Sequence, residues 1–578
     1  MPNSPQIKFK IENNNLEQTT PLTGVSCVLA RTTKGPYNDP STIVSTISQF
    51  RGLYGSEIVP DGSPSNIERA IAGGSKLRIV RVPGNDYFKG VLTTSTEVPT
   101  KPEVAPTPLS IISLSAGSVN VSIGFYTKTY DELVDGSANF DAKFIKQGNT
   151  LFCNIYGHGH NEVLESLPVI TYKNADDNNN TSVDYLAFYT FLTSSDYLEP
   201  VVISSTLTNK SLAGIANWLY EEVDNSKVAL TFKVANKEVD TTNGTVCISQ
   251  PGNSGTAPTS DQWIESLEYI RDYTDPYHVC CSHIDQHLSD SSDQLAVHKA
   301  AKNMVDELDE YMYFIEVPKY TTHYSEGTTV RDKAGIISWV NTCMGTIGNS
   351  RNVAYFAGGI MMNNAQGISV ESDVMGSILG LADASASNYG PWKSFAGTNR
   401  GCIYDGNGPA CLNYGSPSRY NDLNELAHVY TNMIVVKDTT NSGKQTMLWH
   451  CFTSQVKQDS FKFISIVQLI YYLKKVIRPI LESKIEEPNY IPTWNDIYLE
   501  VKPLLDDLVE QEAMSEYTWM GDQNASGYSD MQVNNEADVR QGKYKAILKF
   551  KEIVPMQEIE MVLTIDKVAK TSTVELNS

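Results

Sequence analysis

A helix pattern followed by a strand pattern recurs four times between residues 204 and 356, and this repetition constrains the fold more than any other feature of the chain. In the first unit, apolar residues recur at helical spacing from Leu212 to Val223, and the strand-like run 228–234 follows. Helix–strand units in series favour a mostly parallel sheet covered by helices. We therefore predict a central α/β domain over 204–446. The later strand-like runs are His278–His283, Tyr311–Val317 and Asn352–Phe356.

A β-rich segment precedes these units. The Pro-rich stretch 98–110 indicates a boundary, and short β-type runs with polar turns between them continue from there to about residue 203. The aromatic run 184–192 is interpreted as one of these strands. We predict an inserted β-sandwich or barrel domain over 97–203, after an N-terminal α/β part over 21–96.

The C-terminal third is less regular. Residues 357–446 show little periodicity and are interpreted as ordered loops that serve contacts. Helical patterns follow at 461–483, interrupted at Pro479, and at 494–514. We predict an α+β C-terminal domain over 447–542 and a C-terminal strand arm over 543–578. The arm contains two alternating runs, Tyr544–Lys551 and Glu558–Ile565.

The chain also begins with a strand pattern that has no nearby hairpin partner. Residues 7–11 alternate apolar and basic side chains, with Ile7, Phe9 and Ile11 on one face, and a mostly polar link follows. We expect this N-terminal arm, residues 1–20, to pair with a distant part of this chain or with another subunit.

Composition excludes several classes of protein. Of 578 residues, 41% are hydrophobic and 19% charged, which argues against wholesale disorder, and the formal net charge of −22 opposes non-specific binding to nucleic acid. The most apolar run, 464–473, is shorter than the ~20 residues that span a bilayer. No secretory signal is visible, and nine scattered cysteines suit a reducing compartment. We expect assembly in a cytoplasm, no membrane insertion and no direct contact with nucleic acid.

A metal site is not expected. Cys280, Cys281, His283 and His287 lie within eight residues, and thiolate and imidazole are the usual zinc ligands. The two cysteines are adjacent, however, so on a strand they face opposite sides. A strand end with incidental histidines explains this group, and the pair His158 and His160 is interpreted in the same way.

Nothing in the sequence indicates catalysis or a cofactor. The segment 441–446 lacks the first glycine of a phosphate-binding loop and the hydroxyl that follows its lysine. The segment 367–371 lacks the final glycine of a nucleophile elbow. We predict a protein that is not an enzyme and needs no cofactor.

Residues 457–484 form a basic stretch within this acidic chain. It has two acidic residues, Asp459 and Glu482, and allows two interpretations: a solvated helix face, or a basic helix that docks on an acidic partner. Its six basic residues are Lys457, Lys462, Lys474, Lys475, Arg478 and Lys484.

Several phrases of this sequence resemble those of contractile tail sheath proteins. The first block contains Gly24-Val25, Arg31 and Gly35-Pro36, continues through Ile43–Phe50 to Gly55, and is completed by residues 66–82. The second is Gly390-Pro391-Trp392-Lys393 with Phe395-Ala396-Gly397, in which Phe395 replaces the usual proline. Lys462 and Gln468 stand where arginine is common in the family. The order of the phrases agrees from residue 21 to residue 559, with the weakest agreement over 110–203 and 357–389.

The resemblance implies a mechanical polymer. Sheath subunits stack as six-membered rings around a tail tube, and the central domain has a subtilisin-like topology without catalysis. Contraction drives the tube through the target cell envelope. The implied partners are copies of the chain itself, the tail tube protein, the baseplate and the tail terminator. The implied location is the virion tail, assembled in the bacterial host cytoplasm.

The resemblance also implies roles for the arms and the basic stretch. The β-rich insertion would face outward, and the six basic residues of 457–484 would contact the tube. The N-terminal residues Ile7, Phe9 and Ile11 would pair with neighbouring subunits, as would the C-terminal strands. The C-terminal residues concerned are Tyr544, Ile547, Ile559, Met561, Leu563 and Ile565.

Two alternatives remain open. The chain could be the sheath of an extracellular contractile injection system rather than of a phage. In a different class, it could be a surface or shell protein that assembles by strand exchange, although the lack of a visible signal peptide weighs against this.

Overall fold

The described part of the chain forms two compact units, one ending at Glu487 and the other starting at Pro488. The computed structural model describes residues 23–60, 62–94, 105–128, 140–157, 163–172, 184–195, 197–224, 228–239, 242–253, 255–318, 333–363, 367–403, 420–439, 443–457, 459–521, 533–534 and 539–557.

Within the described residues, nine strands of the first unit form a mixed sheet. Six neighbouring strands, from β19 to β3 in the order below, run parallel, and antiparallel strands flank them at both edges. The predicted mostly parallel sheet is therefore confirmed. The strand order is β18 (Cys402–Ile403), β20 (Gly443–Leu448), β19 (Thr431–Thr439), β15 (Val353–Ala357), β14 (Met312–Glu316), β13 (His278–Cys281), β1 (Val25–Ala30), β3 (Lys76–Arg81) and β2 (Ile43–Val44).

Helices cover both faces of this sheet. Successive residues of a strand point to opposite faces, so Cys27 and Leu29 enter one apolar cluster while Val28 and Ala30 enter the other. The first cluster also contains residues of α5 (Ser260–Glu268), α7 (Ser291–Leu308), α8 (Lys333–Ile347) and α11 (Tyr420–His428). The second contains residues of α1 (Ile47–Tyr54), α2 (Asn66–Ala72), α9 (Met375–Tyr389) and α12 (Ile464–Glu482).

Short elements complete this part of the unit. Helix α6 (Ile284–His287) follows β13, and α10 (Gly397–Arg400) precedes β18. Strands β16 (Ile360–Asn363) and β17 (Ser369–Ser372) pair with each other in an antiparallel ribbon.

A second large sheet of the first unit is antiparallel. In place of the second sheet that a sandwich would have, two helices and a π-helical turn share its apolar core: α3 (Tyr185–Ser194), α4 (Leu212–Trp218) and Leu219–Asp224. Strand β10 (Leu198–Ser205) pairs with β6. The other described strands follow the order β11 (Thr231–Val234), β5 (Ile112–Ala116), β6 (Val119–Thr127), β4 (Val91–Thr93), β12 (Thr245–Gln250), β7 (Phe140–Gln147), β8 (Thr150–Gly157) and β9 (Val163–Thr171).

The first of the four helix–strand units does not join the parallel sheet, so that prediction was wrong. Helix α4 and strand β11 form as expected, but β11 pairs antiparallel with β5. Its burial alternates along the strand, as in a strand with one covered face, whereas β1 and β13 are buried at every position. The order of elements alone does not distinguish the two cases.

The run 184–192 is a helix and not a strand. Asp184 caps α3, since its carboxylate accepts from the backbone amides of Leu186 and Ala187. Phe188, Phe191 and Leu192 are the buried residues, and their spacing is helical. The aromatic content suggested a strand, but the capping residue and the spacing decide for a helix.

The segment 357–446 is also more regular than predicted. It contains α9, α11, β19 and the start of β20. Helix α9 is rich in Gly, Ala and Ser, so its apolar periodicity is weak although most of its residues are buried. Pro479 was expected to interrupt the following helix, but α12 continues to Glu482.

The second unit contains one helix and a two-stranded antiparallel sheet in its described part. Helix α13 (Ile491–Glu510) precedes β21 (Met514–Met520), which pairs with β22 (Ile547–Glu552). The predicted strand at 544–551 is thus present with shifted bounds. Trp494 of α13 stacks on Tyr544, with ring centroids 6.1 Å apart. Among the described helices of both units, none is long and apolar enough to cross a membrane.

Helices α2 and α9 approach each other more closely than side chains would allow. A Cβ placed on Gly380 would lie 2.8 Å from the Cα of Gly73, and one placed on Gly376 would lie 2.5 Å from the carbonyl oxygen of Asn66. Hydrogen atoms occupy the positions where other residues carry Cβ, so the two backbones meet directly. This contact fixes the height of α9 above the sheet.

Substitution Gly380→Ala is expected to destabilise the first unit by about 1–3 kcal/mol, because the new methyl group must displace backbone. The matched control is Gly345→Ala in α8, where no atom lies within 4 Å of the new Cβ, and it should be neutral or stabilise by about 0.5–1 kcal/mol. Urea unfolding of both variants measures the difference. Equal stabilities for the two variants would contradict the close contact.

Candidate functional site

A serine, a histidine and an aspartate meet beneath α9. Ser26 of β1 donates from its hydroxyl to Asp383 Oδ2 at 2.7 Å and lies 3.0 Å from His278 Nδ1. Asp383 Oδ1 lies 3.1 Å from the same ring nitrogen. The other ring nitrogen, Nε2, lies 2.5 Å from the side-chain nitrogen of Gln468 in α12. The network therefore links two strands of the parallel sheet to two helices.

This arrangement is unsuited to nucleophilic catalysis. In a serine hydrolase, the serine bonds to one imidazole nitrogen and the aspartate to the other, so that the ring carries a proton between them. Here Ser26 and Asp383 share Nδ1, and Gln468 occupies Nε2. All three members are fully buried, so no substrate reaches Ser26. The network is a structural connection.

This network could not be predicted from local sequence patterns, because its members are far apart in the chain. Ser26 and Asp383 are separated by 357 positions. A signal was nonetheless present, since Ser26 interrupts an apolar strand and Asp383 is the single acidic residue of α9. Buried polar groups need hydrogen-bond partners, so both residues required one.

The cysteines and histidines near residue 280 do not gather around one point. Cys280 enters the apolar cluster on one face of the sheet and Cys281 the cluster on the other, as expected from their adjacency. Burial raises the pKa of Cys281 to about 12, so it remains a thiol. His287 donates from Nε2 to the carbonyl of Ile58, 3.1 Å away. No group of three or more potential metal ligands occurs in the described part of the chain.

The other candidate motifs lie in strands or beyond the described residues. Gly443–Thr446 belongs to β20, and Ser369–Glu371 belongs to β17. His158 and His160 lie outside the described residues, as do Asn441 and Ser442.

A second buried polar cluster lies at the carboxyl ends of the parallel strands. His283, two residues after the end of β13, has its Nδ1 against the carboxylate of Asp373 and its Nε2 3.8 Å from Glu57 Oε1. Glu57 accepts from Ser282 at 2.5 Å, from Ser65 at 2.7 Å and from the amide of Ile67. The chain order of the strands reverses between β1 and β13, so this cluster occupies the switch point of the sheet.

A carboxyl group also caps helix α9. Glu316, at the end of β14, accepts from the backbone amides of Val374 and Met375 at 2.6 and 3.2 Å. Burial and the nearby charge of Asp373 raise the pKa of Glu316 to about 8, against the opposing effect of the amide of Val374.

The basic residues of α12 are bound within the chain. Lys474 donates to Asp309 Oδ2 at 2.5 Å and to its carbonyl oxygen at 2.7 Å, and Arg478 pairs with Glu310. Lys475 donates to the carbonyls of Thr274 and Pro276 and lies 4.4 Å from the ring centroid of Tyr277. Burial lowers the pKa of Lys475 to about 7. These three cations anchor α12 to the loops that precede β13 and β14.

The remaining basic residues lie outside the helix. Lys457 is exposed, Lys462 lies 5.1 Å from the ring centroid of Phe463, and Lys484 follows the end of α12. The contact of the six cations with a tail tube stays a prediction.

The predicted arm residues fall mostly outside the described residues. Tyr544 stacks on Trp494, and Ile547 starts β22, where its partner in β21 is Met520. Pairing with a neighbouring subunit stays a prediction for all of them. Those outside the described residues are Ile7, Phe9, Ile11, Ile559, Met561, Leu563 and Ile565.

Substitution Gln468→Leu is expected to destabilise the chain by about 1–3 kcal/mol, because His278 Nε2 would be left buried without a partner. The exposed Gln511, which bonds to Asp507 on the surface of α13, supplies the control. Gln511→Leu should change the free energy of unfolding by less than about 0.5 kcal/mol. Urea unfolding measures both, and a neutral Gln468→Leu would contradict the assigned role.

A fluorophosphonate probe is expected to leave Ser26 unlabelled in the folded chain, because the hydroxyl is buried and no base faces it from Nε2. Intact-mass spectrometry measures labelling, with a serine hydrolase treated in parallel as the positive control. Stoichiometric labelling of Ser26 would show that the network is reactive.

The fold of this chain is similar to that of sheath tail proteins over most of its length. The crystal structure of a sheath tail protein from Listeria innocua has 9% sequence identity and a TM-score of 0.47, and the match covers 92% of this chain and 95% of that one. The sheath tail protein from Desulfitobacterium hafniense has 10% sequence identity and a TM-score of 0.45, and the match covers 95% of this chain and 100% of that one.

Contractile injection systems supply further matches. The helical sheath of the anti-feeding prophage in its contracted state has 15% identity and a TM-score of 0.40, and the match covers 54% of this chain and 76% of that one. Neither a protein-family model nor a curated protein matches the chain.

Proposed function

We propose that this chain is a structural subunit of a contractile tail sheath. It polymerises as stacked six-membered rings around a tail tube, and its contraction drives the tube through the target cell envelope. It performs no catalysis and needs no cofactor. The proposal includes both phage tails and extracellular contractile injection systems.

The observation that carries the proposal is the small sheet of the second unit. Within the described residues, β21 and β22 have only each other as neighbours, and most positions of β22 are exposed. A two-stranded sheet of this kind is marginal alone, and its outer edges present backbone donors and acceptors to an incoming strand. Strand addition from another copy satisfies these groups and links the copies.

The phrases that resemble sheath proteins support the proposal because their residues lie where the fold requires a particular contact or backbone conformation. The first block forms β1, α1, α2 and β3, and Tyr54 in it donates to the carbonyl of Ile79 at 3.3 Å. The second block begins at Gly390, which ends α9 at a φ of 90°, and continues to Trp392, whose ring packs on Tyr472 of α12. Each phrase thus joins two elements of the core. The first joins α1 to β3, and the second joins the segment after α9 to α12.

In the proposed mechanism, the two terminal arms tether neighbouring subunits while the rigid body moves. The arm 1–20 and the strands of 543–578 stay paired on polar links as the subunit rotates. Packed interfaces switch between two arrangements and do not deform continuously. Modest free-energy differences at each interface, summed over many subunits, therefore make contraction a cooperative transition. The domain with the antiparallel sheet projects outward, where it does not disturb the strands that pair between subunits.

The proposed partners and location follow from this role. The chain assembles with copies of itself, with the tail tube protein, the baseplate and the tail terminator, in a bacterial host cytoplasm. The finished sheath belongs to an extracellular particle. Because Lys474 and Arg478 are paired within the chain, the exposed Lys457 is better placed than either of them to meet a tube.

Deletion of residues 1–20 is expected to leave a folded chain that does not form tubes, because the strand that links subunits is lost. Negative-stain electron microscopy detects tubes, and thermal unfolding verifies the fold. Normal tubes from the truncated chain would refute strand exchange by this arm.

Point substitutions separate the two faces of the arm. Replacing Ile7, Phe9 and Ile11 together by Ser should abolish tubes, because these side chains fix the register of an added strand. Replacing Lys8 and Lys10 by Ser changes the opposite face and serves as the matched control. Equal effects of the two sets would show that the arm does not act as a half-buried strand.

A further inference from the structure

The imidazole of His283 is held between two carboxylates in a fully buried position. Its Nδ1 pairs with Asp373, and its Nε2 lies 3.8 Å from Glu57 Oε1. The residue adopts a left-handed backbone conformation with a φ of 51°, which a non-glycine residue keeps only where its surroundings fix it. Side chains from two other segments and the backbone of His283 itself therefore determine the position of this ring.

This geometry favours a protonated ring. A neutral imidazole has one N–H donor and one bare acceptor, and the acceptor would face a carboxylate oxygen here. Burial by itself lowers the pKa of His283, but the charge and hydrogen bond of Asp373 and the charge of Glu57 outweigh it and raise the pKa to about 9. Both carboxylates therefore favour a positive charge on this buried ring.

The two carboxylates belong to the starts of two helices. Glu57 accepts from Ser65 and from the amide of Ile67 at the start of α2. Asp373 lies two residues before the first residue of α9, and its carbonyl oxygen accepts from Arg69 of α2 at 2.5 Å. His283 thus ties the beginnings of α2 and α9 to the end of β13.

Three further titratable groups face this ring. Asp285, on the same turn, raises the pKa of His283. Burial and the charge of Asp373 raise the pKa of Glu316 on β14, and the charge of His283 opposes that increase. His287, one turn later, has a pKa of about 4, because burial lowers it and the positive charge of His283 adds to the effect. All three favour a positive ring at His283 or respond to it.

We propose that His283 is a proton-dependent lock on the start of helix α9. With its proton, the ring holds Asp373 and Glu57 together; without it, two buried carboxylates face a neutral ring and the start of α9 detaches from the sheet edge. This device is independent of polymerisation and goes beyond the proposed function.

The direction of the pH dependence of folding stability follows from the difference in the pKa of His283 between the folded and the unfolded chain. The pKa of His283 is higher in the folded chain than the ~6.5 of an unfolded histidine, so its stabilising effect is complete below pH 6.5 and lost as the pH rises through about 9. Glu316 acts in the same direction at lower pH, from about 4.5 to 8. Lys475 acts in the opposite direction, because its folded pKa of about 7 lies below its unfolded value. A comparison of variants therefore isolates His283.

The test compares His283→Gln with the wild type in urea unfolding at each pH from 6 to 10. We expect the folding equilibrium constant of the wild type to fall between pH 7 and 10 on the order of 10- to 100-fold more than that of the variant. His298→Gln is the matched control, since His298 is buried against Tyr313 and has a pKa of about 4. The control should keep the wild-type dependence. An unchanged slope in His283→Gln would overturn the proposal.

A second measurement uses the wild-type chain alone. Hydrogen exchange followed by mass spectrometry, corrected for intrinsic rates, should show protection lost between pH 7 and 10 in peptides that cover 373–380 before it is lost in β14 and β15. Simultaneous loss everywhere would mean that His283 stabilises the fold globally and is not a local lock. If His283→Gln does not fold, this measurement decides.

Discussion

The direct contact between the backbones of α2 and α9 determines the arrangement of the first unit. Gly73 and Gly380 leave no side chain at the crossing, so α9 lies low over the parallel sheet. From that height, Asp383 reaches Ser26 and His278 on the strands beneath. A helix held further away by even one methyl group would leave this carboxylate buried without its partners, at a cost of about 1–3 kcal/mol or more.

The same contact explains why charge is buried at the edge of the sheet. The start of α9 is close enough for Arg69 to donate to Ser372, Asp373 and Ser377, and for Glu316 to cap the helix. Removing one partner of a buried ion pair is more costly than never having formed the pair, because the other charge stays in a medium of low dielectric. The polar groups at this edge therefore depend on one another and on the height of α9.

Much of the fold could be predicted from the sequence where a local pattern coincides with burial. Strands β13, β14 and β15 form where the strand-like runs 278–283, 311–317 and 352–356 predicted them. Helix α9 could not be recognised in this way, because Gly, Ala and Ser residues make up most of its buried positions and weaken its apolar periodicity. The membership of β11 in the antiparallel sheet depends on pairing with β5, which local patterns do not encode. The polar clusters could not be predicted for a related reason, because their members come together only when the sheet forms.

The internal pairing of the α12 cations affects the electrostatics of any assembly of this chain. Lys474 and Arg478 pair with Asp309 and Glu310 of their own subunit, so their charge is already compensated locally, and each copy carries a formal net charge of −22. Copies packed side by side form a polyanion, and counterions must accumulate between them as they approach. Because the Debye length is ~8 Å at physiological ionic strength, salt screens this repulsion between surfaces while the shorter internal pairs are little affected. Ionic strength thus acts on the spacing of the copies without loosening the subunit, and dense packing is favoured as salt increases.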